Sequence, residues 1–267
     1  MINGLDFMQE KINKIVYEIV RELQRVPTVE DVILRGSLAK GDWKPNWSDL
    51  DLVVVLKDNS NISNVHKKIS KIFNNSKIPL GIDIVYKIET PSLLKDLHKI
   101  GFKSIQSTLE TIQFGKSYLN NGYLKTLKNE KKILEKAITP KLNFLFIQDY
   151  LWYLRREIRT LEKGIDMKHV KNIVGLIFLI TKRFVNLKKP LEIMPKPKDI
   201  LVNMRELYPN IDSTILERLV ELREKSGKNF SKKKIKQLCY QGLEFAEKIY
   251  YICLKNKVWE WGGQKRK

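Results

Sequence analysis

The spacing of apolar residues changes once along this chain, and the change divides it into two parts of different architecture. In the first part, Val32-Ile33-Leu34, Leu52-Val53-Val54-Val55-Leu56 and Ile82 to Tyr86 are short β-branched runs bounded by Gly, Pro, Asn or Asp, the pattern of buried strands. Helical spacing surrounds them. Leu5, Met8, Ile12, Ile15, Ile19 and Leu23 recur every three or four residues ahead of Pro27, and Ile62, Val65, Ile69 and Ile72 do so between the second and third strands. Residues 1–90 therefore read as a small sheet with helices packed on it. A helix over 92–100 and a weaker strand or helix over 109–114 finish the unit.

Beyond a lysine-rich segment, Lys125 to Lys136, the strand-like runs stop. Ile147, Leu151, Leu154, Ile158 and Leu161 form one helical stripe, and Ile235, Leu238, Gly242, Phe245, Ile249 and Ile252 form another. Val170 to Phe184 is apolar on most sides, which marks a central helix, and Thr214 to Arg223 is shorter. Pro190, Pro195, Pro197 and Pro209 punctuate the connection. The expected fold class is α+β: a small mixed-sheet domain over 1–125, then an all-α bundle of four or more helices over 126–267.

Charge and cysteine content narrow the setting. The net charge is +20; residues 1–139 hold 22 basic and 16 acidic side chains and residues 140–267 hold 28 and 14, so +14 of the excess lies in the second half. Such a balance attracts polyanions such as triphosphates or RNA, and it also serves solubility. Cys239 and Cys253 fall in one expected helix, about 21 Å apart at 1.5 Å per residue, which excludes a disulfide between them. Asp6 and Glu10 interrupt the N-terminal stretch before any export-type apolar run. Ile173 to Thr181 is far shorter than the roughly 20 apolar residues that span a bilayer. A cytoplasmic protein without a membrane partner is the expectation.

The chemistry concentrates in Leu34-Arg35-Gly36-Ser37-Leu38-Ala39-Lys40-Gly41, followed after six residues by Ser48-Asp49-Leu50-Asp51-Leu52-Val53. A strand running into a Gly-Ser turn and a helix start can offer backbone N–H groups and a hydroxyl to a phosphate. Asp49 and Asp51 stand two apart, so on a strand both carboxylates project to one side and can grip a hard cation. Asp83 interrupts the apolar strand Ile82-Asp83-Ile84-Val85. A carboxylate buried without a partner costs several kcal/mol, so a metal or another cation is expected beside it.

Gly36-Ser37, eleven intervening residues, Asp49-Leu50-Asp51 and the later Asp83 resemble the DNA polymerase beta-like nucleotidyltransferase superfamily. The chain is similar within it to the minimal nucleotidyltransferases that carry a helical domain, as in kanamycin-type antibiotic nucleotidyltransferases. The motifs cover roughly residues 30–90; the remainder matches only in architecture. The resemblance implies transfer of a nucleoside monophosphate from a nucleoside triphosphate, ATP being favoured, to an acceptor hydroxyl. It implies that Gly36 and Ser37 contact the β- and γ-phosphates, with Lys40 as a neutralising charge or an exposed lysine. It further implies that Asp49, Asp51 and Asp83 are catalytic and hold magnesium, two ions in all, with manganese as a substitute, and that Asp83 holds the catalytic ion or activates the acceptor.

Other candidates carry two readings each. Trp43 and Trp47 either stack on a base or acceptor or pack the loop, and packing is favoured. Asp149, Tyr153 and Arg156 share a helix face opposite the Ile147–Leu151 stripe; they line an acceptor site or form a solvated face, the latter being favoured, and the resemblance to kanamycin-type enzymes implies a general base from the helical domain, with Asp149 or Glu157 as the candidate. His66, His98 and His169 show no metal-ligand spacing. The acceptor is expected to be a small molecule of antibiotic type. An RNA end, favoured by the basic second half, a protein hydroxyl, and an interaction module of toxin–antitoxin type are the alternatives.

Overall fold

The structure, a computed structural model, describes residues 4–45, 47–75, 79–94, 99–100 and 103–261. The chain divides into two compact units, Met1–Ala137 and Ile138–Lys267. The first runs α1 (Gly4–Leu23), β1 (Val29–Arg35), the single turn α2 (Gly36–Ala39), β2 (Leu50–Leu56), α3 (Ile62–Asn75), β3 (Leu80–Tyr86), α4 (Pro91–Leu94), β4 (Lys99–Ile100), β5 (Lys103–Ser104), α5 (Ile105–Phe114), β6 (Lys116–Ser117), α6 (Tyr123–Asn129) and α7 (Lys131–Ala137). The main sheet has the order β3-β2-β1-β6. β1 pairs antiparallel with β2 and β6, and β2 pairs parallel with β3, so the α3 crossover joins the parallel pair.

Alternation along the strands decides which residues form the core. Val32, Leu34, Leu50, Leu52, Val54 and Leu56 point to one face and pack with Ile12, Val16, Ile19 and Leu23 of α1 and Val65 and Ile72 of α3. On the other face Ile33, Val53, Val55 and Val85 are also buried, and α5 and α6 approach β1. Covering on both faces explains why β2 is an almost unbroken apolar run with a single charge, Asp51. Asp31, fully buried on β1, accepts hydrogen bonds from Ser117 Oγ (2.7 and 2.9 Å) and Leu119 N (3.2 Å) and so ties the edge segment to the sheet.

One element differs from the sequence reading, and one left open there is decided by the structure. Of the helix expected over 92–100, the structure has only the turn Pro91–Leu94, and Lys99–Ile100 pairs antiparallel with Lys103–Ser104. Pairing between strands there takes the backbone groups that a helix would use. Residues 95–98, His98 included, lie outside the described residues. The ambiguous 109–114 segment is helical, within α5.

The second unit is helical: α8 (Pro140–Thr160), α9 (Met167–Lys188), α10 (Pro197–Leu207), α11 (Thr214–Glu224), α12 (Lys232–Lys255) and a 3₁₀ turn over Val258–Glu260. Thr139, Asp166 and Ser231 cap α8, α9 and α12 by accepting from Leu142 N, Lys168 N and Lys234 N. α9 is central and touches the other four helices of its unit. α10 lies in the proline-punctuated connection. Pro197 opens it at the first helical position, where a missing N–H costs nothing, so this proline starts a helix instead of breaking one. Among the described residues no helix is long and apolar enough to cross a membrane.

Cys239 and Cys253 are free and buried on α12, and burial pushes each thiol up to about 12. A thiol reagent acts on the thiolate. At pH 8 it should therefore label neither cysteine in the folded protein and both in denaturant; rapid labelling of native protein would contradict this packing.

Candidate active site

The site forms where three strands present one end and one face together. Across β1 and β2, Arg35 stands opposite Asp51. Across β2 and β3, Asp51 stands opposite Gly81 and Val53 opposite Asp83. Paired residues point the same way and the side-chain period is two, so Arg35, Asp51 and Asp83 share a face.

β1 turns sharply at Gly36, whose φ of +71° lies in the left-handed region that side-chain-bearing residues adopt at a cost. Its missing side chain matters as much as its torsion. A Cβ on Gly36 would run into Asp51 Oδ2, and one on Gly81 would stand 2.7 Å from Asp51 Oδ1. The Asp51 carboxylate thus sits between two glycines from the two neighbouring strands. The turn after Gly36 is closed by its own backbone: Lys40 N donates to Gly36 O at 3.2 Å and Asp42 N to Ser37 O at 2.8 Å. Ser37 lies in this turn, partly exposed.

The connection to β2 is folded tightly. Trp47 is buried, and buried Ser48 accepts a hydrogen bond from Lys44 N at 3.1 Å. Asp49 follows at the surface, one residue ahead of β2. Trp43 packs against the core of the first unit, so both tryptophans have packing roles. The indole N–H of Trp43 is buried without a hydrogen-bond partner among the described residues.

Two ion pairs complete the site, and neither was evident in the sequence. Arg35, only 5% exposed, donates through Nη2 to Asp83 Oδ2. This guanidinium is the cation that the acid within an apolar strand required. Lys40 pairs with Glu110 of α5 at 3.1 Å, both side chains being largely covered. The register of β1 and the position of Arg35 directly before Gly36 were the available signals for the first pair. The second spans 70 residues and left no local trace.

The structure brings Gly36, Asp51, Arg35 and Asp83 together, with Ser37, Lys40 and Asp49 on adjoining segments. Among the described residues no three His, Cys, Asp or Glu side chains are grouped so as to hold a metal ion; Asp83 is engaged by Arg35. The donor set nevertheless suits a hard cation. Magnesium is commonly held by one or two carboxylates, with substrate phosphates and water filling the remaining positions; Asp51 in its glycine-lined seat and the exposed Asp49 two residues before it are the residues that would hold it. In the second unit, Asp149, Tyr153 and Arg156 are exposed on α8. Glu157 is paired with His169 at 2.8 Å, and His66 is exposed on α3.

The nucleotidyltransferase domain family matches residues 14–159, more than half of the 267-residue chain, and the chain belongs to that family. It is a transferase of nucleotidyl groups. No curated protein matches it.

Gly36 and Gly41 separate torsion from contact. Both have positive φ, +71° and +69°, but a Cβ on Gly41 would meet nothing within 4 Å. Alanine at either position should destabilise the fold by about 1–2 kcal/mol in urea melts. Only Gly36→Ala should displace the Asp51 carboxylate, and a displacement near 1 Å costs about a hundredfold in rate. Equal transfer rates for the two variants would remove the seat from the chemistry.

Proposed function

We propose that this chain transfers a nucleoside monophosphate, with ATP as donor, to a hydroxyl of a small acceptor of antibiotic type, as kanamycin-type nucleotidyltransferases do. Residues 1–125 form the catalytic domain in this reading and residues 126–267 its helical companion. The observation that carries it is the seat of Asp51, whose carboxylate lies against Gly36 at the start of the Gly36-Ser37 turn, where no other residue type leaves it room.

The acceptor oxygen forms a bond to the α-phosphorus, the bond from the α-phosphorus to the bridging oxygen breaks, and pyrophosphate leaves in line. Gly36 and Ser37 hold the β- and γ-phosphates through the turn backbone and the serine hydroxyl. Lys40 exchanges Glu110 for a phosphate oxygen and serves as a point charge. Asp49 and Asp51, and Asp83 in a two-ion arrangement, would hold magnesium, which would supply charge neutralisation for the triphosphate and make the acceptor hydroxyl more acidic. If Asp83 holds no ion, its carboxylate, directed by the Arg35 guanidinium, would instead draw the proton from the acceptor hydroxyl.

Asp49→Asn or Asp51→Asn should abolish transfer while leaving the melting temperature near that of the parent, because each replaces a charged oxygen donor with a neutral one of the same shape. Near-parental turnover at saturating magnesium would contradict the assignment. Asp83→Asn should depress the single-turnover rate far more than nucleotide affinity, the mark of an interaction made in the transition state. Titrating nucleotide in parallel measures both, and equal losses would reduce Asp83 to a structural acid. Incubation with labelled ATP and magnesium against pools of aminoglycosides, RNA and proteins identifies the acceptor. Label in the first pool is the expected result, and label only in another would replace the acceptor class.

A further inference from the structure

One face of α8 carries a pattern to which the transfer mechanism proposed above assigns no role. Ile147, Leu151, Leu154 and Ile158 are buried, and on the opposite side Trp152, Arg156 and Arg159 follow one another at spacings of four and three. Lys163 extends the row into the turn beyond the helix. Trp152 is 57% exposed and its neighbour Tyr153 50%, an expensive display of aromatic surface in water. The two rings meet edge to face with centroids 5.0 Å apart, and the Arg156 guanidinium lies 6.0 Å from the Trp152 ring.

One carboxylate, the exposed Asp149, precedes Tyr153 by a helical turn on this side, and the other neighbouring carboxylates are engaged by partners outside the row. Glu157 pairs with His169 at 2.8 Å, Glu162 with Lys236 at 2.9 Å and Glu247 with Arg155 at 2.7 Å. Among the described residues no carboxylate pairs with Arg156, Arg159 or Lys163. A row of cations beside two solvent-facing rings is complementary to a chain of phosphates bearing unstacked bases. Cations follow the backbone, and every base has a π-face for an aromatic ring.

We propose that the exposed face of α8 binds single-stranded nucleic acid, its bases stacking on Trp152 and Tyr153 and its phosphates meeting Arg156, Arg159 and Lys163. This site stands independently of the transfer reaction. RNA and DNA share the recognised chemistry, and the probes below separate them.

Fluorescence anisotropy of labelled oligouridylate and oligothymidylate, each about 12 nucleotides long, should show binding to the full chain. With three phosphate contacts on a single strand, affinity should fall roughly twentyfold between 50 and 200 mM salt. Arg159→Ala should lower the slope of log affinity against log salt by about 0.7. Trp152→Ala should weaken binding about tenfold with the slope retained, and Trp152→Phe should recover most of that loss. Asp51→Asn should bind as the parent does, which separates this face from any site for triphosphates. The probe bound more tightly identifies the source, and a duplex of equal length should bind more weakly. The proposal is overturned if neither oligonucleotide binds at 50 mM salt. It is equally overturned if the combined Trp152→Ala, Arg156→Ala and Arg159→Ala variant keeps parental affinity, or if that variant changes only the oligomeric state in light scattering.

Discussion

The position of one carboxylate governs the rest of this site. Asp51 is the only charge in a strand otherwise made of leucine and valine, and it is tolerated because both neighbouring strands withdraw their side chains where it lies. Gly36 withdraws at the end of β1 and Gly81 within β3. The apolar packing on the far face, from Leu50 and Leu52 to α1 and α3, holds β2 rigid against these neighbours. Catalytic groups gain most from such rigidity, since a preorganised charge needs no rearrangement when the reaction occurs. The Arg35–Asp83 pair belongs to the same arrangement, because its members leave the two flanking strands on the face that Asp51 occupies.

Much of this was legible from residue order, and the remainder was hidden for identifiable reasons. The three long strands, the Gly36-Ser37 turn and the Asp49-Leu50-Asp51 spacing are local patterns, and the structure has strands and turn where those patterns lie. Arg35 and Asp83 are separated by 48 residues and Lys40 and Glu110 by 70, and partners at such distances become visible only when sheet register and helix packing are known. Gly81 looked like punctuation before a strand; its meaning appears only opposite Asp51. α10 was concealed by prolines, which signal a break when read singly but open a helix when placed at its first position. The helix expected over 92–100 failed because pairing with Lys103–Ser104 claimed part of that backbone, a tertiary contact that local periodicity does not encode.

Family membership and chemistry are separate conclusions here. The family match extends from α1 into α8, across both compact units, and establishes the class of reaction. It does not name an acceptor, since acceptors are chosen by side chains that vary freely on one scaffold. Charge follows the same division: residues 1–139 carry +6 of the +20 excess, and residues 140–267 carry +14. Evolution can therefore alter what the helical unit attracts without disturbing the strands that carry the aspartates.

The ladders on either side of β2 also limit how this sequence can change length. Residues 41–45 lie outside any helix or strand and are at least partly exposed, and such loops accept insertions or deletions at small entropic cost. Within Leu50–Leu56 the opposite holds. A slip of one residue against β1 and β3 would exchange the two faces of the strand, carrying Asp51 in among Ile12, Val16 and Val65 and turning Leu50 and Leu52 toward Arg35 and Asp83. Relatives of this chain should accordingly differ in the length of the loop before Asp49 while keeping the interval from Asp51 to the end of the strand invariant.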